Sequence, residues 1–142
     1  MSTFHLFVYG TLRAQQQGAA LMRDCERVGR GTVHGTVYDI DGRFPALLLY
    51  GDTPVPGEIW RCPADALLRL DEYEGVAEHL FRRIAHEVRD DDTGQPYPCW
   101  LYVAGPALAR RLTPDRRVDG AVAVREAEDE DALDDDDEVG KM

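Results

Sequence analysis

The sequence predicts an α+β fold built around a small closed or nearly closed β-barrel. The chain has 142 residues, of which 44% are hydrophobic, and this suits one domain with a single substantial core. Apolar runs rich in β-branched and aromatic residues recur along the chain and are separated by turn signals. Helical patterns are confined to one or two short stretches, so strands are expected to dominate the fold.

The first half of the chain is expected to be mostly strand. Four strands are predicted, over residues 4–9, 27–41, 44–50 and 55–61. A polar and then weakly helical segment at 14–25 separates the first two. The second strand is long and is expected to bend at its glycines, as a barrel wall requires, at Gly29, Gly31 and Gly35. The pair Asp41-Gly42 predicts a tight turn before the third strand.

The second half is expected to hold a helix and a hairpin. Pro63 is predicted to open a short helix that runs to about Tyr73 and ends near Gly75. Residues 81–89 alternate apolar and polar side chains, and residues 97–103 are predicted to return as their hairpin partner. These elements are assigned to one domain over residues 1–125, within which the order of 105–125 is left open.

The net charge of −11 comes largely from the end of the chain. Residues 126–138 hold 10 of the 27 acidic side chains. Such a run repels itself, so 126–142 is expected to be a disordered acidic tail, which serves either solubility or contact with a basic partner. The remaining domain is close to neutral and has no basic face, which argues against nucleic-acid binding. The sequence does not predict an oligomeric state.

Several functional classes are disfavoured by what the sequence lacks. No apolar run approaches the ~20 residues of a membrane helix, and no signal peptide is recognisable, so we expect a cytoplasmic protein without membrane contact. The three cysteines, at 25, 62 and 99, are widely spaced, and Cys62 and Cys99 are predicted to be buried, inert thiols. The only serine is Ser2, which argues against a serine nucleophile. The four histidines lack ligand spacing, so no metal site is expected.

The first predicted strand stops abruptly at a glycine turn, Tyr9-Gly10-Thr11-Leu12. A glycine turn after a strand presents backbone N–H groups, which suit a carboxylate or a developing oxyanion. The simpler interpretation is a tight turn in which Tyr9 fills the core. The turn alone does not separate the two interpretations.

Glu74 is the acidic residue that does not fit the pattern of the predicted helix. On a helical wheel it falls inside the apolar arc, whereas Glu72 falls outside the arc and Asp71 on its edge. A buried carboxylate must be paired, protonated or used in chemistry. The alternative is that the helix has already ended and Glu74 is a solvated terminal residue.

These stretches together resemble the gamma-glutamylcyclotransferase-like family, in its AIG2-like branch with gamma-glutamylaminecyclotransferase. The motifs that carry the resemblance, over about residues 4–104, are YGTL at 9–12, GTVYDIDGRFPALL at 35–48, VPGEIWR at 55–61, LDEYEG at 70–75, FRRIAHEV at 81–88 and CWLYV at 99–103. Each motif is weak alone, and their order and spacing make the resemblance specific. It implies a mixed β-barrel with flanking short helices.

The resemblance also implies an activity and the residues that carry it. The substrate-binding loop is implied to be Tyr9, Gly10, Thr11 and Leu12, and Glu74 is implied to be the general acid/base. Tyr102 falls where the family often has a tyrosine that lines the cavity. The implied reaction cyclises a small-molecule γ-glutamyl amide or amine to 5-oxoproline without a cofactor. Two rivals remain open at this point: a non-catalytic ligand-binding module on the same barrel, and an interaction protein acting through its acidic tail.

Overall fold

A computed structural model describes residues 2–10 and 19–118 of the chain. Its strands are β1 (Thr3–Val8), β2 (Glu26–Ile40), β3 (Phe44–Pro63), β4 (Phe81–Asp90), β5 (Pro96–Ala104) and β6 (Arg117–Val118). Its helices are α1 (Ala66–Tyr73) and α2 (Pro106–Ala109), with short 3₁₀ turns at Ala19–Met22 and Pro114–Arg116. None of these helices is long and apolar enough to cross a membrane. Thr11, Leu12 and the predicted tail at 126–142 lie outside the described residues.

Five strands close into a small mixed barrel, which confirms the predicted fold class. The strand order is β3-β1-β5-β4-β2, with β6 beyond β2, and β2 pairs back onto β3 to complete the barrel. β1 and β5 run parallel, and the other pairs run antiparallel. A closed barrel leaves none of its five strands with an unpaired edge along its whole length.

The two strands predicted at 44–50 and 55–61 are one continuous strand, β3, so the predicted break between them is wrong. β2 pairs with β3 on both sides of the break, from Ile40 opposite Phe44 to Glu26 opposite Arg61. The register shifts between Gly35 and Thr36, where residues 49–52 bulge out of the ladder. The turn-type residues of this stretch therefore bend the strand and do not end it.

The predicted hairpin turn is confirmed. Asp41 and Gly42 both have positive φ, of 56° and 69°, as a tight turn between β2 and β3 requires. The second irregularity of the β2 register lies between Arg27 and Gly29, close to the first glycine of the strand. Two of the three glycines predicted as bends, Gly29 and Gly35, therefore adjoin irregularities of the ladder, whereas Gly31 pairs in regular register.

The predicted start of the helix is wrong, whereas its end is correct. Pro63 is the last residue of β3 and lies opposite Thr3, so it belongs to the sheet. Helix α1 begins at Ala66, ends at Tyr73 and has Glu74 as its C-cap residue. Gly75 follows with φ of 67°, the left-handed conformation that commonly terminates a helix.

The buried side chains form two clusters on either side of the barrel wall. One fills the barrel interior with residues from all five strands, among them Phe7, Val37, Ile59, Val88 and Leu101. The other lies between the outer wall and the helices, among them Leu6, Val8, Leu70, Tyr102 and Leu108. β1 contributes to both clusters, which explains its unbroken apolar sequence.

The thiols of Cys62 and Cys99 are buried, as predicted. Burial raises the pKa of the Cys99 thiol to about 12. A hydrogen bond with Cys25, together with burial, raises the pKa of Cys62. Since the thiolate is the reactive form, neither side chain is suited to act as a nucleophile near neutral pH.

Gly57 is expected to be essential to the contact between β1 and β3. A Cβ atom there would lie 2.4 Å from the Val8 carbonyl oxygen and 2.5 Å from the Phe7 ring. We expect Gly57→Ala to lower the free energy of unfolding by about 1–3 kcal/mol because it overpacks the wall. Gly29→Ala is the control, because a Cβ at Gly29 meets nothing within 4 Å. Denaturant unfolding of both variants checks this, and equal losses would contradict it.

Candidate active site

A cavity of about 310 Å³ opens at the carboxyl end of β1. Its wall is formed by the end of β1, the β2–β3 hairpin, the end of α1, the start of β4 and one residue of β5. Four residues singled out from the sequence lie on this wall: Tyr9, Gly10, Glu74 and Tyr102. These residues are far apart in the sequence, so barrel closure brings them together.

Glu74 reaches the cavity from the end of α1. Its backbone N–H donates to the carbonyl of Leu70 at 3.0 Å, which continues the helical pattern by one residue. The helix nevertheless ends at Tyr73, with Glu74 as its C-cap, as the alternative interpretation held, but Glu74 is partly buried rather than solvated. Gly75 then turns the chain away and leaves the Glu74 side chain at the cavity wall.

Two effects raise the pKa of Glu74 to about 8. Burial disfavours the carboxylate, and the neighbouring carboxylate of Asp71 disfavours it further. No residue within 2–10 or 19–118 forms a hydrogen bond with the Glu74 carboxyl that would hold it in the charged form. A carboxyl group that titrates near neutral pH can both accept and donate a proton, which suits general acid/base chemistry.

The Tyr9 hydroxyl forms structural hydrogen bonds with the backbone of two other strands. It donates to the Tyr102 carbonyl at 2.8 Å and accepts from the Leu47 N–H at 3.2 Å. Burial and the nearby Glu74 raise the pKa of Tyr9, so the hydroxyl stays protonated. Tyr9 thus joins the end of β1 to β3 and β5, and its ring and backbone are the parts available to the cavity.

The Tyr102 hydroxyl belongs to a polar chain that passes behind the cavity wall. It donates to Asp71 Oδ1 at 2.6 Å. Arg83 also binds Asp71, through Nε at 2.9 Å and Nη2 at 3.2 Å, and stacks over the ring of Trp100 at 4.3 Å. Because Arg83 holds both carboxylate oxygens, Asp71 is fixed between Tyr102 and Glu74.

Asp71 is the functional candidate that sequence reasoning missed. The helical wheel placed it on the edge of the apolar arc, three residues before Glu74, so both lie on one side of α1. That proximity was the available signal. The residues Arg43, Phe44 and Pro45 also line the cavity. They lie in the motif at 35–48, but the sequence assigned them no role in the site. No group of three His, Cys, Asp or Glu side chains in the described ranges is arranged to hold a metal ion.

Comparison with known proteins assigns this chain to a family. Residues 6–122 match the family model described as Gamma-glutamyl cyclotransferase, AIG2-like. The chain belongs to this family. The AIG2-like chain is 32% identical over 105 residues to Gamma-L-glutamyl-butirosin B gamma-glutamyl cyclotransferase of Niallia circulans. That match covers 70% of this chain and 65% of the relative, so the chain spans less than two thirds of the relative's length.

Solved structures agree with the AIG2-like fold. An AIG2-like protein of Mus musculus superposes with a TM-score of 0.68 at 25% identity, over 82% of this chain and 83% of the mouse chain. A uropathogenic E. coli-specific protein superposes with a TM-score of 0.67 at 20% identity, over 89% of this chain and 95% of that one. The second likeness concerns the fold alone.

Glu74 is expected to make the stability of this AIG2-like domain depend on pH. Its pKa in the folded state, about 8, lies above the ordinary value of 4.5. The neutral carboxyl therefore supports the fold at low pH, and this support is lost as the pH rises through 8. Glu74→Gln cannot ionise, so its stability relative to wild type should increase between pH 4.5 and 8, by up to about 5 kcal/mol.

Chemical unfolding at several pH values measures this difference. Glu72→Gln is the matched control, since Glu72 is exposed two residues away, and its profile should run parallel to wild type. If the free energy of unfolding depended on pH in the same way for Glu74→Gln and wild type, ionisation of Glu74 would not destabilise the folded state.

Proposed function

We propose that this protein is a gamma-glutamyl cyclotransferase, which converts a γ-glutamyl amide or amine to 5-oxoproline and a free amine. The observation that supports this most strongly is Glu74, a carboxyl with a pKa of about 8 on the wall of the cavity. The family match supports the same activity, and the name of the Niallia circulans relative describes it for that protein.

The substrate supplies its own nucleophile in this reaction. Its α-amine attacks the γ-carbonyl carbon, a new C–N bond closes the five-membered ring, and the old bond to the leaving nitrogen breaks. Because nucleophile and carbonyl belong to one molecule, holding them in contact provides much of the rate. No cofactor is needed for the bonds that form and break.

Proton transfer is the remaining task, and we assign it to Glu74. The α-amine is an ammonium at neutral pH and cannot attack before it loses a proton. Glu74 in its carboxylate form accepts that proton and then donates it to the leaving nitrogen. After attack, the ring nitrogen releases its second proton, and the departing amine takes it up to become an ammonium. On this assignment, kcat/KM rises with pH until Glu74 is ionised, at about pH 8.

The turn after β1 is assigned to substrate binding. Gly10 lies on the cavity wall at the end of the strand, and Thr11 and Leu12 follow it in the chain. Their backbone N–H groups would hold the substrate α-carboxylate, and a glycine at the first position permits close approach. Tyr102 is assigned to the wall, where Asp71 fixes its hydroxyl.

Glu74→Gln should abolish 5-oxoproline release from any γ-glutamyl compound that the wild type turns over. Losing general acid/base catalysis costs a factor of about 10² to 10⁴ in kcat. A screen of γ-glutamyl compounds identifies the working substrate, and Glu72→Gln is the control that should keep wild-type rates. Full activity of Glu74→Gln would exclude this mechanism. Binding without turnover by the wild type would instead favour a non-catalytic ligand-binding module.

Tyr102→Phe should reduce kcat by roughly tenfold, because the lost hydroxyl leaves Asp71 and the cavity wall less well positioned. The fold should persist, since Arg83 still binds Asp71. Tyr97→Phe is the control on the same strand: its hydroxyl contacts His5 at 3.1 Å and does not line the cavity. Steady-state kinetics and thermal melting decide the matter. Equal activity of the two variants would remove Tyr102 from the site.

A further inference from the structure

Arg43 places a cation at the opening of the cavity. It lies in the β2–β3 hairpin, its side chain is exposed, and it lines the same cavity as Glu74. Several other guanidinium groups are occupied by carboxylates: Arg83 binds Asp71, and Arg111 and Arg116 both bind Asp41. Within residues 2–10 and 19–118, no acidic side chain forms an ion pair with Arg43. Its guanidinium is therefore available to a ligand.

The two ends of the cavity differ in chemistry. Glu74 is partly buried and lies with the buried residues Tyr9 and Tyr102, which form the inner end. The outer end carries Arg43 and two large side chains, Tyr73 and Leu80, that are 43% and 41% exposed. Among the described residues, Asp71 is the charged group that shifts the pKa of Glu74.

The reaction restricts how a substrate can lie in this cavity, and this step rests on the proposed function. Ring closure requires the α-amine and the γ-carbonyl to meet at Glu74, so the glutamyl unit occupies the inner end. The leaving group must depart to solvent and therefore lies toward the opening. There it meets one cation, the aromatic ring of Tyr73 and the apolar side chain of Leu80.

We propose that Arg43 binds a carboxylate on the leaving group, while Tyr73 and Leu80 contact its side chain. The preferred substrates are then γ-glutamyl derivatives of apolar α-amino acids, rather than of simple amines. A guanidinium binds a carboxylate through two parallel hydrogen bonds, which gives orientation as well as attraction. Arg43 thus determines specificity and takes no part in proton transfer.

Two compounds that differ in one carboxylate test this assignment: γ-glutamyl-phenylalanine and γ-glutamyl-2-phenylethylamide. For the wild type we expect kcat/KM to favour the first compound by about 3- to 10-fold, mainly through KM, as for an ion pair near the surface. In Arg43→Gln this ratio should fall toward one. Arg110→Gln is the control, since Arg110 is exposed but does not line the cavity, and its ratio should match wild type.

Binding measurements separate the failure of this proposal from failure of the proposed function. Calorimetry with Glu74→Gln and with the double variant Glu74→Gln/Arg43→Gln measures the affinity for each of the two compounds without turnover. Suppose that γ-glutamyl-phenylalanine binds more tightly only when Arg43 is present, and that the wild type turns over neither compound. This result would support the carboxylate site at Arg43 and overturn the proposed cyclotransferase activity. Equal use of both compounds by the wild type would overturn the role of Arg43. An equal loss on both in Arg43→Gln would show that it binds the glutamyl α-carboxylate instead, which also overturns the proposal.

Discussion

The structure depends on one long strand that forms hydrogen bonds with two partners. β3 pairs with β1 through its last residues and with β2 along nearly its whole length, and this double pairing closes the barrel. Closure demands that β1 pass very close to β3, which the absence of a side chain at Gly57 permits. Because the interior is then filled by side chains from every barrel strand, the cavity lies at the rim, where β1 ends.

The rim position explains how the candidate acid/base group acquires its properties. α1 has eight residues and is held against the outer wall by Ala66 and Leu70, so its last turn is fixed over the end of β1. Glu74 is thereby held in a partly buried place beside another carboxylate, and both effects oppose its ionisation. A folded protein tolerates such a group at the expense of stability, which is common where the group serves chemistry.

Asp71 interacts both with the hydrogen-bonded residues behind the cavity wall and with the candidate acid/base group. It is held by Arg83, accepts the Tyr102 hydroxyl and raises the pKa of Glu74. A single carboxylate therefore sets both the position of one wall residue and the proton affinity of another. We propose that specificity is carried by the exposed residues of the opening, which can differ without altering the inner site.

The sequence by itself determined most of the strands, the tight turn at Asp41-Gly42, the end of the helix near Gly75 and membership of the family, because these depend on local periodicity, turn chemistry and short motifs. It also singled out Glu74, since one acid inside an apolar arc is visible on a helical wheel. Tertiary structure alone decided that β3 continues through its turn-like residues, because the ladder with β2 outweighs local propensity. It alone placed Pro63 in the sheet, Asp71 between Tyr102 and Arg83, and Arg43 at the cavity. Those outcomes depend on which distant residues barrel closure brings into contact, and no local pattern encodes such contacts.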